Sequence, residues 1–361
     1  MKKFICYLVG GAVRDEIMGL EPKDYDYVIV GSTPEELISL GYKQVGADFP
    51  VFLKDGNEYA LARTERKNGK GYLGFNCDFN PNITLKEDQN RRDFSINSIA
   101  KDLDSGEYID YYGGIDDIKN KVLRHVSEAF SEDPLRILRG CRFLARYENF
   151  IIHDDTIQLM KSIKHELNDI SKDRIWLEIE KILSEEYSYK AFDMFEQLGL
   201  FELECLKIYS DWDRYSLKQL SKYRDFEIHF DRKYYAFCCI SKNIKSKKEF
   251  NDNRIPKEFG FSLKINTYYD KIEKYFSLSP EEKYELFNNL GVFQQTTNDE
   301  FIIFFNEMSN ILWYFNRSIN DKILYDFRNI CKINIESLIK DVDKKDILDL
   351  IKQTRLKIFE E

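Results

Sequence analysis

At 361 residues, with 43% hydrophobic and 32% charged content, the chain is long enough for two or three domains and has the composition of a soluble globular protein. Its formal net charge of −9 excludes a uniformly basic nucleic-acid coat, although positive charge can still be concentrated locally. No apolar run approaches the ~18 residues of a membrane span, and seven cysteines without a Cys-x-x-Cys pair read as reduced thiols of a cytoplasmic protein.

Met1-Lys2-Lys3 ahead of the apolar run Phe4 to Val9 imitates a secretion signal, but the run is short and meets Gly10, Gly11, Arg14 and Asp15. It therefore reads as a first strand. The glycine turn leads into a helix over Ala12 to Met18, and a second strand follows in Lys23-Asp24-Tyr25-Asp26-Tyr27-Val28-Ile29-Val30. Residues two apart in a strand face the same way, so Asp24 and Asp26 are expected to present both carboxylates to one cation cluster. Hard oxygen ligands suit Mg²⁺. A helix N-terminus beside them suits phosphate. Together these features predict a nucleoside triphosphate held between backbone N–H groups and metal for in-line attack at phosphorus. Taken singly, an Asp-x-Asp and a Gly-Gly are ordinary turn chemistry; it is their order and spacing that carry the reading.

Val51 to Leu53, Tyr59 to Ala62 and Tyr108 to Tyr111 are the next clear strands, which makes the first ~125 residues the sheet-bearing part. Glu65 stands at a strand end, where it would serve either as a third metal ligand or as an ion-pair partner of its basic neighbours. Lys67 to Asn90, rich in Gly, Asn, Asp and Lys, reads as a mobile loop able to act as a lid. Arg91-Arg92-Asp93-Phe94-Ser95-Ile96-Asn97-Ser98 follows it, and two arginines near a metal site are natural phosphate or ribose ligands.

From Glu132 onward helical spacing takes over. Asp133-Pro134 starts a helix in which Asp133, Arg136, Arg139 and Arg142 recur every third position. At about 100° per residue, a step of three falls back roughly 60°, so these four form a ladder over half the helix surface. Leu135, Leu138 and Phe143 are left to pack inward. A carboxylate accepts and a guanidinium donates, so Asp133 with Arg136 matches the amino donor and ring-nitrogen acceptor of cytosine or adenine. Uracil and guanine would set a carbonyl against Asp133 and be refused. Arg139 and Arg142 remain for phosphates or for bracing Asp133. The competing reading is structural: a capping Asp followed by solvated arginines.

Ser171 caps a helix striped by Ile175, Trp176, Ile179, Ile182 and Leu183. Phe301, Phe304, Phe305, Met308, Leu312 and Phe315 repeat at helical spacing as core, and Lys344 to Phe359 is another amphipathic helix. Four histidines, none at i, i+4 from another, give a zinc site or a histidine-based triad little to build on.

These motifs, in this order, resemble those of the class II tRNA nucleotidyltransferases, the CCA-adding enzymes, with bacterial poly(A) polymerases as relatives. The resemblance rests on Leu8 to Asp15, Asp24-Tyr25-Asp26, Arg91-Arg92-Asp93, Asp110 to Gly114 as a flexible connector, Glu132 to Arg136, and Ser171 to Glu178. It implies an α+β fold with a polymerase-β-like head over 1–125, a helical neck over 126–186 carrying base recognition, and a helical body and tail over 187–361 for tRNA. It further implies two Mg²⁺ on Asp24 and Asp26, the triphosphate on Gly11 and Arg14, nucleotide contact by Arg92, Arg139 and Arg142, and Asp133 with Arg136 as a protein template for CTP and ATP. The implied reaction adds CMP, CMP and AMP to a tRNA 3′ end and releases pyrophosphate. CC-adding or A-adding specialists and poly(A) polymerases would share these motifs. A non-catalytic RNA-binding protein has no use for the acidic pair, and a small-molecule nucleotidyltransferase has none for the arginine ladder. Many bacterial members carry a His-Asp phosphohydrolase motif further on, but here the corresponding stretch reads Tyr234-Tyr235-Ala236-Phe237-Cys238-Cys239-Ile240-Ser241. No phosphohydrolase activity is expected.

Overall fold

β1 (Ile5–Val9) runs into α1 (Gly11–Ile17), and β2 (Asp26–Val30) returns antiparallel to β1, with Val9 opposite Asp26. This is a computed structural model, and it describes residues 4–46, 51–67, 75–78, 80–223, 228–293, 298–311, 317–340 and 342–360; for 65–67, 75–78, 298–299, 301 and 310–311 it describes the backbone alone. After β2 come α2 (Pro34–Ser39), closed by a Thr33/Glu36 capping box, and the strands β3 (Lys43–Val45), β4 (Val51–Lys54) and β5 (Asn57–Leu61). β6 (Thr64–Lys67) and β7 (Phe75–Asp78) pair only with each other, and α3 (Leu85–Asn90) follows. β8 (Ile99–Asp102) and β9 (Tyr108–Asp110) complete a seven-stranded sheet of order β3-β4-β5-β2-β1-β8-β9. Only β2 and β5 run parallel in it.

The sheet is buried on both faces around β2. Val28 packs with Tyr7, Val9, Ile83, Leu85 and Ala100, whereas the adjacent Ile29 packs with Leu37, Phe52 and Leu61 on the other side. That is why Tyr27 to Val30 reads as an unbroken apolar run rather than an alternation. Each fully buried Val or Ile contributes about 1.5–3 kcal/mol, so the strand that begins at Asp26 is rigidly held.

Asp110 then accepts hydrogen bonds from the N–H groups of Tyr112, Gly114 and Ile115, which fixes the start of α4 (Gly114–Asn120). A Cβ on Gly114 would lie 2.2 Å from the Ser95 carbonyl oxygen, so only glycine allows this approach. β10 (Val122–Leu123) pairs in parallel with β11 (Ile151–Ile152), and α5 (Leu135–Arg146) spans the interval between them. α6 (Asp154–Ile163) follows, and residues 1–171 form one compact unit.

Residues 172–361 form the second unit, and its described residues contain helices and turns but no strand. It opens with α7 (Lys172–Ser184), α8 (Ser188–Leu198), α9 (Arg214–Leu220) and α10 (Arg232–Ile240), and its last helix spans Ile347–Glu360. All five stripe positions of α7 are buried, and Trp176 meets Phe237 and Phe259 edge-on at ring distances of 5.5 and 5.0 Å. Phe304, Phe305 and Met308 are core residues; Leu312, Phe315 and the side chain of Phe301 lie outside the described residues.

The fold departs from the sequence reading in two places before the site is reached. Lys67 to Asn90 is not wholly loop, since it contains β7 and the capped helix α3. β8, an interior strand of the sheet, carries no strong alternation in Ile99-Ala100-Lys101-Asp102 and was not expected.

Candidate active site

A cleft of about 570 Å³ opens in the first unit between the β1–α1 turn, β2 and β5 on one side and α5 on the other. Eight arginines and four carboxylates line it, which makes it strongly positive inside an acidic protein. Low-dielectric walls concentrate such a potential and attract polyanions.

Asp26, exposed, stands at the first residue of β2 and lines the cleft. Asp24 is also exposed but lies two residues ahead of the strand in irregular chain, so the alternation argument holds only for Asp26. In the parallel register of β2 and β5, Asp26 pairs with Glu58, another cleft-lining acid. Glu58 was not singled out from sequence, because a register between strands ~30 residues apart leaves no local signal. The side chain of Glu65 lies outside the described residues.

Gly10 makes the turn at φ +73°, where an L side chain is strained. A Cβ there would sit 3.2 Å from Arg92 Nη1 and 4.0 Å from Asp26 Oδ2. The bare backbone thus gives an arginine and a carboxylate access to the same spot at the start of α1, where Gly11 is the first helical residue. This donor set, exposed carboxylate oxygens beside an open glycine turn, fits a hard divalent cation.

Arg92 donates from Nη1 to the Asn97 carbonyl (3.3 Å) and from Nη2 to Asp88 (3.3 Å), and its Nε is buried with no hydrogen-bond partner. Arg91 donates to the same Asp88 at 2.9 Å. Burial pushes the Asp88 carboxyl up, but the two guanidinium charges outweigh it and hold the group below its usual range.

Arg14 is buried at 5% exposure. Its Nε and Nη2 donate to Asp15 (2.9 and 2.7 Å), its Nη1 donates to Asn97 Oδ1 (2.6 Å), and Phe143 and Tyr147 hold its guanidinium at 5.4 and 5.7 Å. It is part of the cleft wall, with three donors already directed at protein acceptors.

Asp133 has extended backbone (φ −125°, ψ 102°) and precedes α5, whose cap is Pro134; its Oδ1 accepts from Leu135 N at 3.2 Å. The four-rung ladder is therefore three arginines on the helix with the acid at its mouth. Arg136, Arg139 and Arg142 all line the cleft, joined by Arg146, while Leu135, Leu138 and Phe143 are buried as expected. Arg136 donates to the carbonyls of Ala129 (2.7 Å) and Arg91 (2.6 Å). Arg139 donates twice to Asp93 Oδ2 (2.8 and 2.6 Å), a buried acid not anticipated as its partner. Burial raises the Asp93 carboxyl, but the Arg139 charge and hydrogen bonds from Asn97, Arg139 and Phe94 N bring it down to about 2.

The chain resembles known proteins in sequence and in fold. Residues 6–124 match the poly A polymerase head domain, and 149–203 match the probable RNA and SrmB-binding site of polymerase A. The chain is 41% identical over 335 residues to a multifunctional CCA protein of Mannheimia succiniciproducens, a match covering 80% of each. A multifunctional CCA protein of Pasteurella multocida is 52% identical over 203 residues, 55% of this chain and 48% of that one. In fold, the chain is similar to a CCA-adding enzyme in its apo form (TM-score 0.70, 22% identity, 99% of this chain and 88% of that one). A Thermotoga maritima CCA-adding enzyme complexed with tRNA gives a TM-score of 0.68 at 23% identity, over 99% of this chain and 88% of that one.

Proposed function

This chain belongs to the class II tRNA nucleotidyltransferase family, and from that premise we propose that it is a CCA-adding enzyme taking CTP and ATP in turn to a tRNA 3′ end. It is a metal-dependent nucleotidyltransferase, and Mg²⁺ is the cation its carboxylates suit. Asp24 and Asp26 would hold the ions, with Glu58 as the neighbouring carboxylate. Bound there, Mg²⁺ would supply charge stabilisation at the phosphoryl oxygens and activation of the attacking hydroxyl. The chain's own residues do the rest. Gly10 and Gly11 leave backbone open to the triphosphate, Arg92 reaches the turn, and Arg14 supports it from within the wall.

One observation carries this reading: a single cleft has the acidic strand end and glycine turn on one side and the Asp133–α5 arginines on the other. Reaction centre and base edge are thereby served together. Asp133 offers an acceptor to the amino group of cytosine or adenine, and refusal of uracil and guanine follows from acceptor facing acceptor. Arg136 is tethered to two backbone carbonyls, so it meets the base in a fixed orientation.

Tyr234 to Ile240 forms most of α10 and Ser241 caps it, with Tyr235, Cys238 and Cys239 wholly buried. Burial pushes the Cys238 thiol up to about 12, which makes it inert rather than metal-binding. No metal-stimulated release of phosphate from a 2′,3′-cyclic nucleotide is expected. The helical unit is left for tRNA, and phosphate contacts should make tRNA affinity fall as salt rises.

The test offers tRNAs ending at the discriminator base, at C and at CC, with CTP and ATP supplied separately and together. CMP addition followed by one AMP is the expected result, and a long adenylate tail would overturn the reading.

A further inference from the structure

Seven side chains form a run of contacts through the wall of the cleft, and the backbone of α5 closes it into a ring. Arg139 of α5 donates to Asp93, Asn97 Nδ2 donates to Asp93 Oδ1 (3.0 Å), Arg14 of α1 donates to Asn97 Oδ1 (2.6 Å) and also to Asp15. Asp15 then receives Tyr147 Oη (3.2 Å) and faces Arg146 at 3.7 Å, at the far end of α5. The helix is thus pinned at two points two turns apart, ~10 Å by helical rise. Asn97 occupies the position where the ring crosses from α5 to α1. Its backbone carbonyl also accepts from Arg92, whose guanidinium lies against the Gly10 turn.

We infer that Asn97 is a positioning residue for base selection, setting the register of the α5 arginines against the glycine turn. The inference rests on the CCA-adding reading above and assigns the position on which its selectivity depends. Asn97 is 7% exposed, and its amide has one donor edge and one acceptor edge, each used by a neighbour of opposite need. A carboxylate there would keep the Arg14 bond but set two acceptors face to face at Asp93. An apolar side chain would leave the Arg14 Nη1 donor unmet and Asp93 Oδ1 with Phe94 N alone of its two donors. In either case α5 loses its tie to α1 at the template end, while the tie through Asp15 survives. The base edge can then shift relative to the phosphates, and a mispaired base is refused less firmly.

The experiment measures kcat/KM for CTP and for UTP on a tRNA ending at the discriminator base, with melting curves alongside. Asn97→Asp and Asn97→Leu are each expected to lower the CTP-over-UTP ratio about tenfold. A merely structural role would reduce the active fraction equally for both nucleotides and leave the ratio unmoved. Asn97→Gln, which keeps one donor edge and one acceptor edge, is expected to hold the ratio closer to wild type than either of these variants. Asn97→Asp and Asn97→Leu proteins that fold and keep the wild-type ratio overturn the inference. If these variants do not fold, Asn97→Ser decides, since it removes the amide with a smaller change in bulk: folded with the ratio lowered it supports the link, folded with wild-type selection it overturns it. Wild-type protein that transfers neither CMP nor AMP would instead overturn the functional reading underneath.

Discussion

The two units bury different things. Of the twelve largest fully buried side chains among the described residues, nine are in 172–361, including Tyr209, Phe237, Phe259 and Phe287, and only Phe52, Phe94 and Phe130 are in the first unit. The first unit buries Arg14, Asp15, Asp88, Asp93 and Asp117 within ion pairs, where 172–361 has fewer such groups, Glu178 with Lys181 and Asp326 with Lys322 among the described residues. Apolar burial is non-directional and proportional to area, so it stabilises without fixing orientation. A buried ion pair contributes little net stability, because desolvation offsets much of the attraction, but it is stringent about geometry. The unit that must align a phosphorus atom with a base edge is built from stringent contacts. The helical unit relies more on tolerant ones.

The strongest way to break this comparison is at the acidic pair. Asp24→Ala and Asp26→Ala should each reduce CMP and AMP transfer by about 10³-fold or more while leaving the melting temperature close to wild type, since both side chains are exposed. Loss of fold in either variant would mean the pair is structural. Phe259→Ala in the helical unit should behave in the opposite way. It removes a fully buried ring that meets Trp176, Tyr234 and Phe237, and should cost about 3–5 kcal/mol in chemical denaturation. In the protein that remains folded, the CTP-over-UTP ratio should be unchanged. A changed ratio would show that the aromatic core specifies as well as stabilises.

Asp93 tests the stringent side through pH. Its carboxyl is held at about 2 in the fold, against an ordinary value of 3.8. A depressed value means the folded state favours the ionised form, so its contribution is complete above about pH 4 and is lost as pH falls toward 2. The difference is about 2 kcal/mol at neutral pH by linkage. Urea midpoints of wild type and Asp93→Asn should therefore differ most at pH 7 and converge near pH 2. A constant gap across that range would show that the Arg139 pair does not set the titration.

What could be read from sequence divides along a related line. The glycine turn, the α5 arginines and the stripe of α7 are local patterns that stand where their spacing put them, while the second strand, read over Lys23 to Val30, begins only at Asp26. α3 was missed, because its Thr84/Glu87 capping box lies within polar composition that reads as loop. Asp133 was drawn onto the helix because every third residue matched, yet Pro134 takes the cap and leaves Asp133 extended. The ring is different in kind. Arg14 and Asn97 are 83 positions apart, and Asp93 and Arg139 are 46 apart. Asn97 stood in plain view within Arg91 to Ser98, but an amide declares no role until its two partners are known. Glu58 is hidden for the same reason, by a strand register rather than a side-chain bond.

The smallest expected effect is also the sharpest control. Arg214 donates to both oxygens of Asp193 at 2.6 and 2.9 Å, a two-oxygen fork, whereas Arg139 directs two donors of similar length at one oxygen of Asp93. The hydrogen bonds and charge of Asp193 raise the pKa of Arg214 further. Yet the two side chains are 54% and 36% exposed, and water screens what the geometry offers. After that discount, Asp193→Ala should change stability by no more than about 0.5–1 kcal/mol, and added salt should erase the difference. If Asp193→Ala instead cost as much as Asp93→Asn, then distance and fork geometry alone would govern these pairs, and burial would not be what separates the unit that selects from the unit that supports.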